Sequence, residues 1–427
     1  MNNHYPVIVI GGGQAGLAVS YNLKQAGVDH VVFEKNRIGH AWRNERWDSF
    51  CLVTPNWQCR LPGFPYQGDD SHGFMQKDEI VKYVEDYAKS FDAPVKEGVD
   101  VSRVRQSGAA EVFEITSSLG EHTADQVVIA AGGYHRPNVP RSAERLPASI
   151  MQLHSSEYRN AESLPEGAVL VVGTGQSGCQ IAEDLHFTGR QVHLAVGNAP
   201  RSPRLYRGKD VVAWLEEMGY YDLPIDEHPK KDTVRTKTNH YVTGRDGGRE
   251  IDLRKLSLEG MRLYGRFEDI RDGYLKFGND LKGNLDHADE VAESIKSSID
   301  SYIKEKQISA PVEPPYEPVW EPSDPVLELA CEETGIAAVV WCTGFQSDFR
   351  WIEIPVFDGK GYPGHQRGVT SVRGLYFLGL PWLHTWGSAR FSGIAPDAAH
   401  VADRIALNLR ARQPRAASLL NEGAIGS

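Results

Sequence analysis

The chain has 427 residues, and its 46 lysines and arginines against 57 aspartates and glutamates give a formal net charge of −11. That length allows two or three domains, and the acidic balance excludes a general nucleic-acid surface. No apolar run reaches the roughly 18 residues that a bilayer span needs, so a membrane is not an expected partner.

The first six residues, Met1 to Pro6, lack the basic start and apolar stretch of a signal peptide. The five cysteines, Cys51, Cys59, Cys179, Cys331 and Cys342, form no C-x-x-C pair. That argues against a zinc ribbon or a thioredoxin-type redox pair and fits a reducing compartment. The cytoplasm is the expected location, and no metal is expected.

Val7-Ile8-Val9-Ile10 is a short buried strand that runs straight into Gly11-Gly12-Gly13-Gln14-Ala15-Gly16. From Gln14 to Ala26 the apolar positions recur at helical spacing, and Gly27 ends the helix. A second strand, Val31-Val32-Phe33, ends on Glu34. Gly11, Gly13 and Gly16 occupy the G-x-G-x-x-G positions: a tight turn, a close backbone approach to a pyrophosphate, and helix-on-strand packing. Glu34 stands about 20 residues past the first glycine, where a ribose-binding acid belongs. Strand, glycine turn, helix, strand and acid together predict a dinucleotide site.

The aromatic, proline-punctuated stretch from Trp47 to Tyr66 reads as an irregular loop, either a packed surface loop or a segment lying along a cofactor. Lys77 to Phe91 is an amphipathic helix. Val99–Val101 and Val112–Ile115 flank a turn as an antiparallel excursion. Val127–Ala130 returns to the sheet and ends on Ala131-Gly132-Gly133.

A second copy of the opening motif follows. Ala168–Val172 is a strand, Gly173, Gly175 and Gly178 supply the glycines, Gln176 to Phe187 is a helix, and Gln191–Val196 is the next strand. This strand ends on Gly197 instead of an acid, with Arg201, Arg204 and Arg207 beyond it. That combination suits the 2′-phosphate of NADPH, with NADH as the alternative, or else is an exposed basic loop. Leu285 to Lys306 reads as a helix. Pro311 to Pro325 reads as a semi-rigid crossover between domains. Ala337–Cys342 and Gly374–Leu380 are further strands, and a last helix begins near Pro396.

Two dinucleotide units suggest a resident flavin and a visiting nicotinamide, with hydride passing from one to the other. Without a redox cysteine pair, oxygen is the better acceptor for the electrons.

The motifs in order resemble the flavin-containing monooxygenases, a family that includes the plant auxin-forming and the Baeyer–Villiger enzymes. The resemblance rests on the two glycine motifs, Gly39-x-x-Trp42, Leu61-Pro62-Gly63-Phe64-Pro65, Trp341-Cys342-Thr343-Gly344-Phe345, and Gly374 to Leu380. It is nearest to bacterial flavin oxidoreductases of nitrilase gene clusters. Leu380 stands where related disulfide reductases carry Asp. His154 and Tyr158 keep the second half of the family's linking fingerprint, while Ala148 and Ile150 depart from its first half.

The resemblance implies an α/β fold with two Rossmann-like dinucleotide-binding domains, the FAD domain discontinuous and the NAD(P)H domain inserted. The expected boundaries are 1–160 and 315–427 for FAD and 161–314 for NAD(P)H. It implies an NAD(P)H-driven monooxygenase working through a flavin C4a-(hydro)peroxide on a small organic substrate, with molecular oxygen as co-substrate. The alternatives are a flavin oxidase or reductase serving another acceptor, and a non-enzymatic nucleotide sensor. Candidate FAD contacts are Gly11, Gly13, Gln14, Ala15, Gly16, Glu34, Lys35, His40, Ala41, Trp42, Thr54, Val101, Ala131, Gly132, Gly344 and Leu380. Candidate NADPH contacts are Gly173, Gly175, Gln176, Ser177, Gly178, Arg201 and Arg204. Asn56, His384, Trp386 and Arg390 are the candidate catalytic residues. The segment Trp382 to Phe391 is dense in groups that bind planar molecules, so it forms either a pocket wall or a packed cap.

Overall fold

The structure, a computed structural model, describes residues 3–108, 112–331 and 334–422; Met1 and Asn2 of the N-terminal stretch lie outside them. In chain order the first half supplies β1 (His4–Ile10), α1 (Gln14–Gln25), β2 (Val31–Phe33), α2 (Lys77–Ser90), β3 (Val95–Lys96), β4 (Val101–Gln106), β5 (Phe113–Ser117) and β6 (Gly120–Ile129). Then come β7 (Met151–His154), β8 (Ala168–Val172), α3 (Gln176–Phe187), β9 (Val192–Ala195), β10 (Arg262–Tyr264), α4 (Leu281–Lys306), β11 (Ile336–Trp341), β12 (Leu375–Phe377) and α5 (Ile394–Glu422).

Two sheets organise these elements. In the first, β12, β6, β1, β2 and β3 lie side by side and parallel, and β4–β5 is an antiparallel hairpin on β6. In the second, the order is β7, β11, β8, β9, β10, all parallel. Parallel strands buried on both faces need continuous apolar runs, and Val7–Ile10 and Ala168–Val172 are buried throughout.

Each sheet is covered on both sides. Over the first, Leu17 and Ala18 of α1 meet Ala398, Val401 and Ile405 of α5 and Ile80 and Val84 of α2. Its other face packs against Phe349, Ile352, Ile354 and Val356. Over the second, Ile181 and Leu185 of α3 join Leu285 and Ala288 of α4. Each such aliphatic side chain taken from water contributes roughly 1.5–3 kcal/mol.

Sheet membership corrects the expected boundaries. β11 was placed with the FAD segments beyond residue 315, and β7 before residue 161; both pair in the second sheet, β11 between β7 and β8. An apolar strand shows that it is buried but not which sheet buries it. The proline-rich stretch is likewise no crossover. Arg207 Nη1 donates to the Pro311 carbonyl at 3.1 Å, and the Tyr316 hydroxyl donates to Asp252 at 3.0 Å. Arg254 Nη1 donates to the Trp320 carbonyl at 2.9 Å. These bonds strap the stretch onto the second unit before the chain enters β11.

The true crossings are 131–150 and 342–350. They pair with each other: Arg136–Pro137 runs antiparallel to Phe345–Gln346. Asn138 Nδ2 donates to the Thr343 carbonyl at 3.2 Å, the Ser347 hydroxyl to the Gly133 carbonyl at 2.8 Å, and the Asp348 N–H to His135 Nδ1 at 2.8 Å. One of the His154 ring nitrogens meets the Gly344 carbonyl at 3.0 Å. Among the described residues no helix is long and apolar enough to cross a membrane.

Candidate functional site

The two glycine turns are built alike. Gly11 has φ +108° and Gly173 φ +102°, values that a side chain strains. A Cβ on Gly11 falls 2.5 Å from the Ala130 carbonyl oxygen, and one on Gly173 falls 2.8 Å from that of Cys342. A Cβ on Gly16 falls 1.8 Å from the Gly11 oxygen, and one on Gly178 falls 1.9 Å from the Gly173 oxygen. Each turn is therefore pinned between the end of its own strand and the end of the neighbouring one.

The middle glycines behave differently. Gly13 is exposed, and a Cβ there has nothing within 4 Å. Behind each turn the helix start is uncapped: α1 and α3 carry no side-chain cap and no acid in the first turn. By contrast α2 has a Gln76–Glu79 capping box, and the helix after Asp252 is capped by that carboxylate. Free N–H groups and a positive dipole end, with room in front, are what a pyrophosphate requires.

Glu34, Gln14 and Ala15 have their partners at the first turn, and the other expected residues lie in several segments. Glu34 accepts from the Gly12 N–H at 2.6 Å and the Asn36 N–H at 2.9 Å. A Cβ on Gly379 falls 2.5 Å from the Ala15 Cβ, so the end of β12 runs close over the start of α1, and Leu380 is buried behind it. Gln14 Nε2 donates to the Ala389 carbonyl at 3.1 Å. Trp42 follows His40 and Ala41 on a short helix and stacks on Phe391 at 5.7 Å. Ala131 and Gly132 leave the end of β6 at the surface, Val101 opens β4, and Thr54 is half-buried in the long loop. Lys35 is exposed and pairs with Asp100 at 3.2 Å. Gly344 instead lies past β11, in the crossing ribbon at the edge of the second sheet.

At the second turn, the Gly175 Cβ position lies 3.5 Å from the Thr238 methyl, and Gln176, next to Ser177, donates to the Val242 carbonyl. The Thr174 hydroxyl accepts from the Gly197 N–H at 3.0 Å. The arginines expected to hold a 2′-phosphate are committed elsewhere. Arg201 is fully buried, 3.0 Å from Asp289 and over the Tyr316 ring at 4.0 Å. Arg204 is buried too, with Asp210 at 3.0 Å, the Val53 carbonyl at 2.7 Å and Phe74 beneath it. Arg207 pairs with Asp300 at 2.8 Å. Spacing located these cations near Gly197 but could not show the acids, distant in sequence, that claim them.

Arg266 is a cation that follows β10, the strand beside β9. β9 pairs in parallel with β10 from His193↔Arg262 to Ala195↔Tyr264, and the Val196 N–H donates to the Tyr264 carbonyl at 2.9 Å. Gly265 and Arg266 follow at once, the Arg266 N–H donating to Asp280 and its carbonyl accepting from the Gly278 N–H, both at 2.8 Å. The Arg266 side chain is exposed and forms no ion pair among the described residues.

Between the turns a segment of the second unit, 220–240, lies on Trp382–Arg390 of the first. The Ile225 N–H donates to the His384 carbonyl at 2.7 Å, and Arg235 Nε to the Trp382 carbonyl at 3.3 Å. Tyr221 meets the Trp386 ring at 4.6 Å. Arg390 lies over the Trp386 ring at 3.7 Å and donates to Asn239 Oδ1 at 3.1 Å. Thr238 beside Gly175, Asn239 bonded to Arg390, and Ala389 bonded to Gln14 thus link the two turns through neighbouring residues. Nothing in the local spacing of Tyr220, Tyr221 or Asn239 signals this role.

Two of the candidate catalytic residues are otherwise occupied. Asn56 is buried; its Nδ2 donates to the Asp70 carbonyl at 2.9 Å and its Oδ1 accepts from the Met75 N–H at 2.8 Å, so its amide pins the 70–75 loop. The His384 imidazole sits among Arg367, Asp397, Asp226 and Glu227; burial, with Arg367, lowers its pKa. Trp386 and Arg390 are the two that lie against the second unit, at Tyr221 and Asn239. The Cys51 and Cys59 thiols are buried, and desolvation pushes their pKa values up to about 11 and about 12.

Residues 8–246 match the family model described as pyridine nucleotide-disulphide oxidoreductase. An uncharacterised CzcO-like oxidoreductase of Geobacillus kaustophilus is 36% identical over 408 residues, covering 95% of this chain and 99% of the relative. The indole-3-pyruvate monooxygenase YUCCA6 of Arabidopsis thaliana is 31% identical over 199 residues, 45% of this chain and 48% of the relative. A solved flavin-containing monooxygenase from Stenotrophomonas maltophilia shares the fold with a TM-score of 0.66 at 19% identity, over 95% of this chain and 98% of that one.

Proposed function

The chain belongs to the pyridine nucleotide-disulphide oxidoreductase family, and from that premise we propose that it is a flavoprotein monooxygenase driven by NADPH. FAD takes the first glycine turn and NADPH the second. The observation that carries this reading is the contact chain joining Gly175 to Gln14 through Asn239 and Arg390. It links two phosphate-ready turns through a few neighbouring residues, the proximity that hydride transfer between two cofactors needs.

The residues fit both groups. Exposed Gly13 with open space before it, and the uncapped start of α1, suit the FAD pyrophosphate, with Glu34 at the ribose. Gly175, Ser177 and the uncapped start of α3 suit the NADPH pyrophosphate, with Arg266 at the 2′-phosphate in place of Arg201 and Arg204. Bound FAD supplies hydride acceptance and the activation of dioxygen. The chain supplies orientation and a dry enclosure. Trp42 and Phe391 wall the first unit, and Tyr221 and Trp386 close the cleft against water. The raised thiol pKa values at Cys51 and Cys59 favour oxygen over a disulfide as acceptor, because thiolate is the exchanging form.

The overall reaction consumes NADPH, a proton, O₂ and substrate and yields NADP⁺, water and the oxygenated product. The test is turnover with NADPH under ¹⁸O₂ over a panel of amines, sulfides and ketones. Label in an organic product is expected; NADPH consumed with all label in hydrogen peroxide or water, whatever the substrate, would make the protein an oxidase instead.

A further inference from the structure

A cavity of about 510 Å³ opens between the two units, and no residue of either glycine turn lines it. Ser49, Cys51, Asp70 and Phe74 of the first unit face Arg245 and Asp246 of the second. A recess of about 10 Å³, room for one water-sized group, shares Ser49, Cys51 and Arg245 with it and is lined by Gln180 and Glu183 of α3. Donors here are spent on the protein. The Ser49 hydroxyl donates to Asp184 at 2.5 Å, Arg245 Nη1 to the same carboxylate at 2.9 Å, and Gln180 Nε2 to the Val242 carbonyl at 3.1 Å. Acceptors are left over. Gln180 is 5% exposed, and its buried Oε1 has no hydrogen-bond partner among the described residues. Asp70 accepts from the Gly73 N–H and forms no ion pair among the described residues. Asp246 has Arg249 at 3.4 Å, and that guanidinium also holds the buried Glu183. Four carboxylates, Asp70, Glu183, Asp184 and Asp246, thus share Arg245 and Arg249. Arg204, behind Phe74, is claimed by Asp210.

We propose that this cavity is a ligand site for an organic dication of the diamine class, held between the units and apart from both cofactors. A wall with acceptors to spare and an excess of negative charge selects a ligand that brings donors and positive charge. An ammonium is about the size of a water molecule and carries three donors and no acceptor. One ammonium enters the recess and donates to Gln180 Oε1 and the Glu183 carboxylate. The other pairs with Asp70 and Asp246 in the wider space, one carboxylate from each unit, and the Phe74 ring gives the methylenes between them an apolar surface. The proposal stands apart from the flavin reading, because it uses neither glycine turn.

The experiment titrates the full-length, FAD-loaded protein calorimetrically with diaminobutane, with butylamine as the single cation and butanediol as the uncharged probe of similar length. The diamine is expected to bind at least about tenfold more tightly than the monoamine, and the diol more weakly than either. Asp246→Asn and Asp70→Asn should each bring the diamine down to the level of the monoamine. Asp246 has φ +54°, a conformation that asparagine accepts, so its variant keeps the loop. Saturating NADP⁺ should leave diamine binding unchanged. Equal binding of diamine and diol, or none by either, overturns the proposal and leaves the recess to water. So does diamine binding that survives both aspartate variants, or that NADP⁺ displaces, since either places the diamine elsewhere.

Discussion

Arg390 Nη2 donates to Asn239 Oδ1 at 3.1 Å, and this bond joins a residue just before the last helix of one unit to the loop beside the glycine turn of the other. That bond holds the segment beside one glycine turn against the segment beside the other.

The two glycines of the first turn should fail in different ways. Gly13→Ala meets no protein atom within 4 Å, so the chain should keep its melting temperature while its FAD absorbance falls toward zero. Gly16→Ala drives a Cβ to 1.8 Å from the Gly11 oxygen. It should lower stability by about 1–3 kcal/mol, as overpacking does. Circular dichroism melts and flavin-to-protein ratios separate the two.

Arg201→Ala should damage the fold and leave nucleotide choice alone. It removes one of the two buried arginines on Asp289, Arg254 remaining at 2.9 Å, so the loss should fall below the roughly 3–5 kcal/mol of a buried charge left unpaired. Arg266→Ala should do the reverse: unchanged melting, with 2′,5′-ADP binding weakened by roughly 1.5–3 kcal/mol and 5′-AMP binding untouched. Calorimetry with the two nucleotides decides it; equal weakening of both would remove Arg266 from the 2′-phosphate.

His193 makes acid a selective stress. It is fully buried, stacked on Tyr264 with Nδ1 2.8 Å from its hydroxyl, and its Nε2 has no partner. Burial lowers its pKa to about 4 from 6.5. The unfolded chain therefore binds the proton first as pH falls. Stability present above pH 6.5 should be lost progressively down to about pH 4, by roughly 3 kcal/mol from this group. His193→Asn should flatten the slope of unfolding free energy against pH in that window; an unchanged slope would show that other groups set it.

Cys51→Ser and Cys59→Ser should leave the NADPH oxidation rate within about twofold of wild type, since a thiol held at about 11 or 12 is almost wholly protonated near neutrality. Loss of turnover with FAD retained would point to a thiol redox role and to a reductase.

Local pattern carried most of the fold. The strand–turn–helix at Val7–Gln25 and its copy at Ala168–Phe187 are read directly from apolar runs and glycine spacing, and Gln176–Phe187 is the helix expected. Which sheet takes Ile336–Trp341 was not legible, because every interior strand of a parallel sheet is apolar on both faces. In the site, the glycines follow from spacing, whereas the surroundings of Arg201 and Asn56 do not. Their partners, Asp289 and the backbone of Asp70 and Met75, are fixed only when distant or irregular segments come together. Tyr221 and Asn239 were missed for the same reason.

The ribbon at Arg136–Pro137 and Phe345–Gln346 has a consequence for assembly of the molecule. The second unit leaves and rejoins the first at neighbouring points, with Asn138 bonded to Thr343. Once folded, it turns some two hundred residues of chain into a short bridge for the first unit. The entropy of closing that long loop is then settled inside the insert before β12 must find β6. Every strand of the second unit has been made by residue 350, while the first still waits for its last strand and helix.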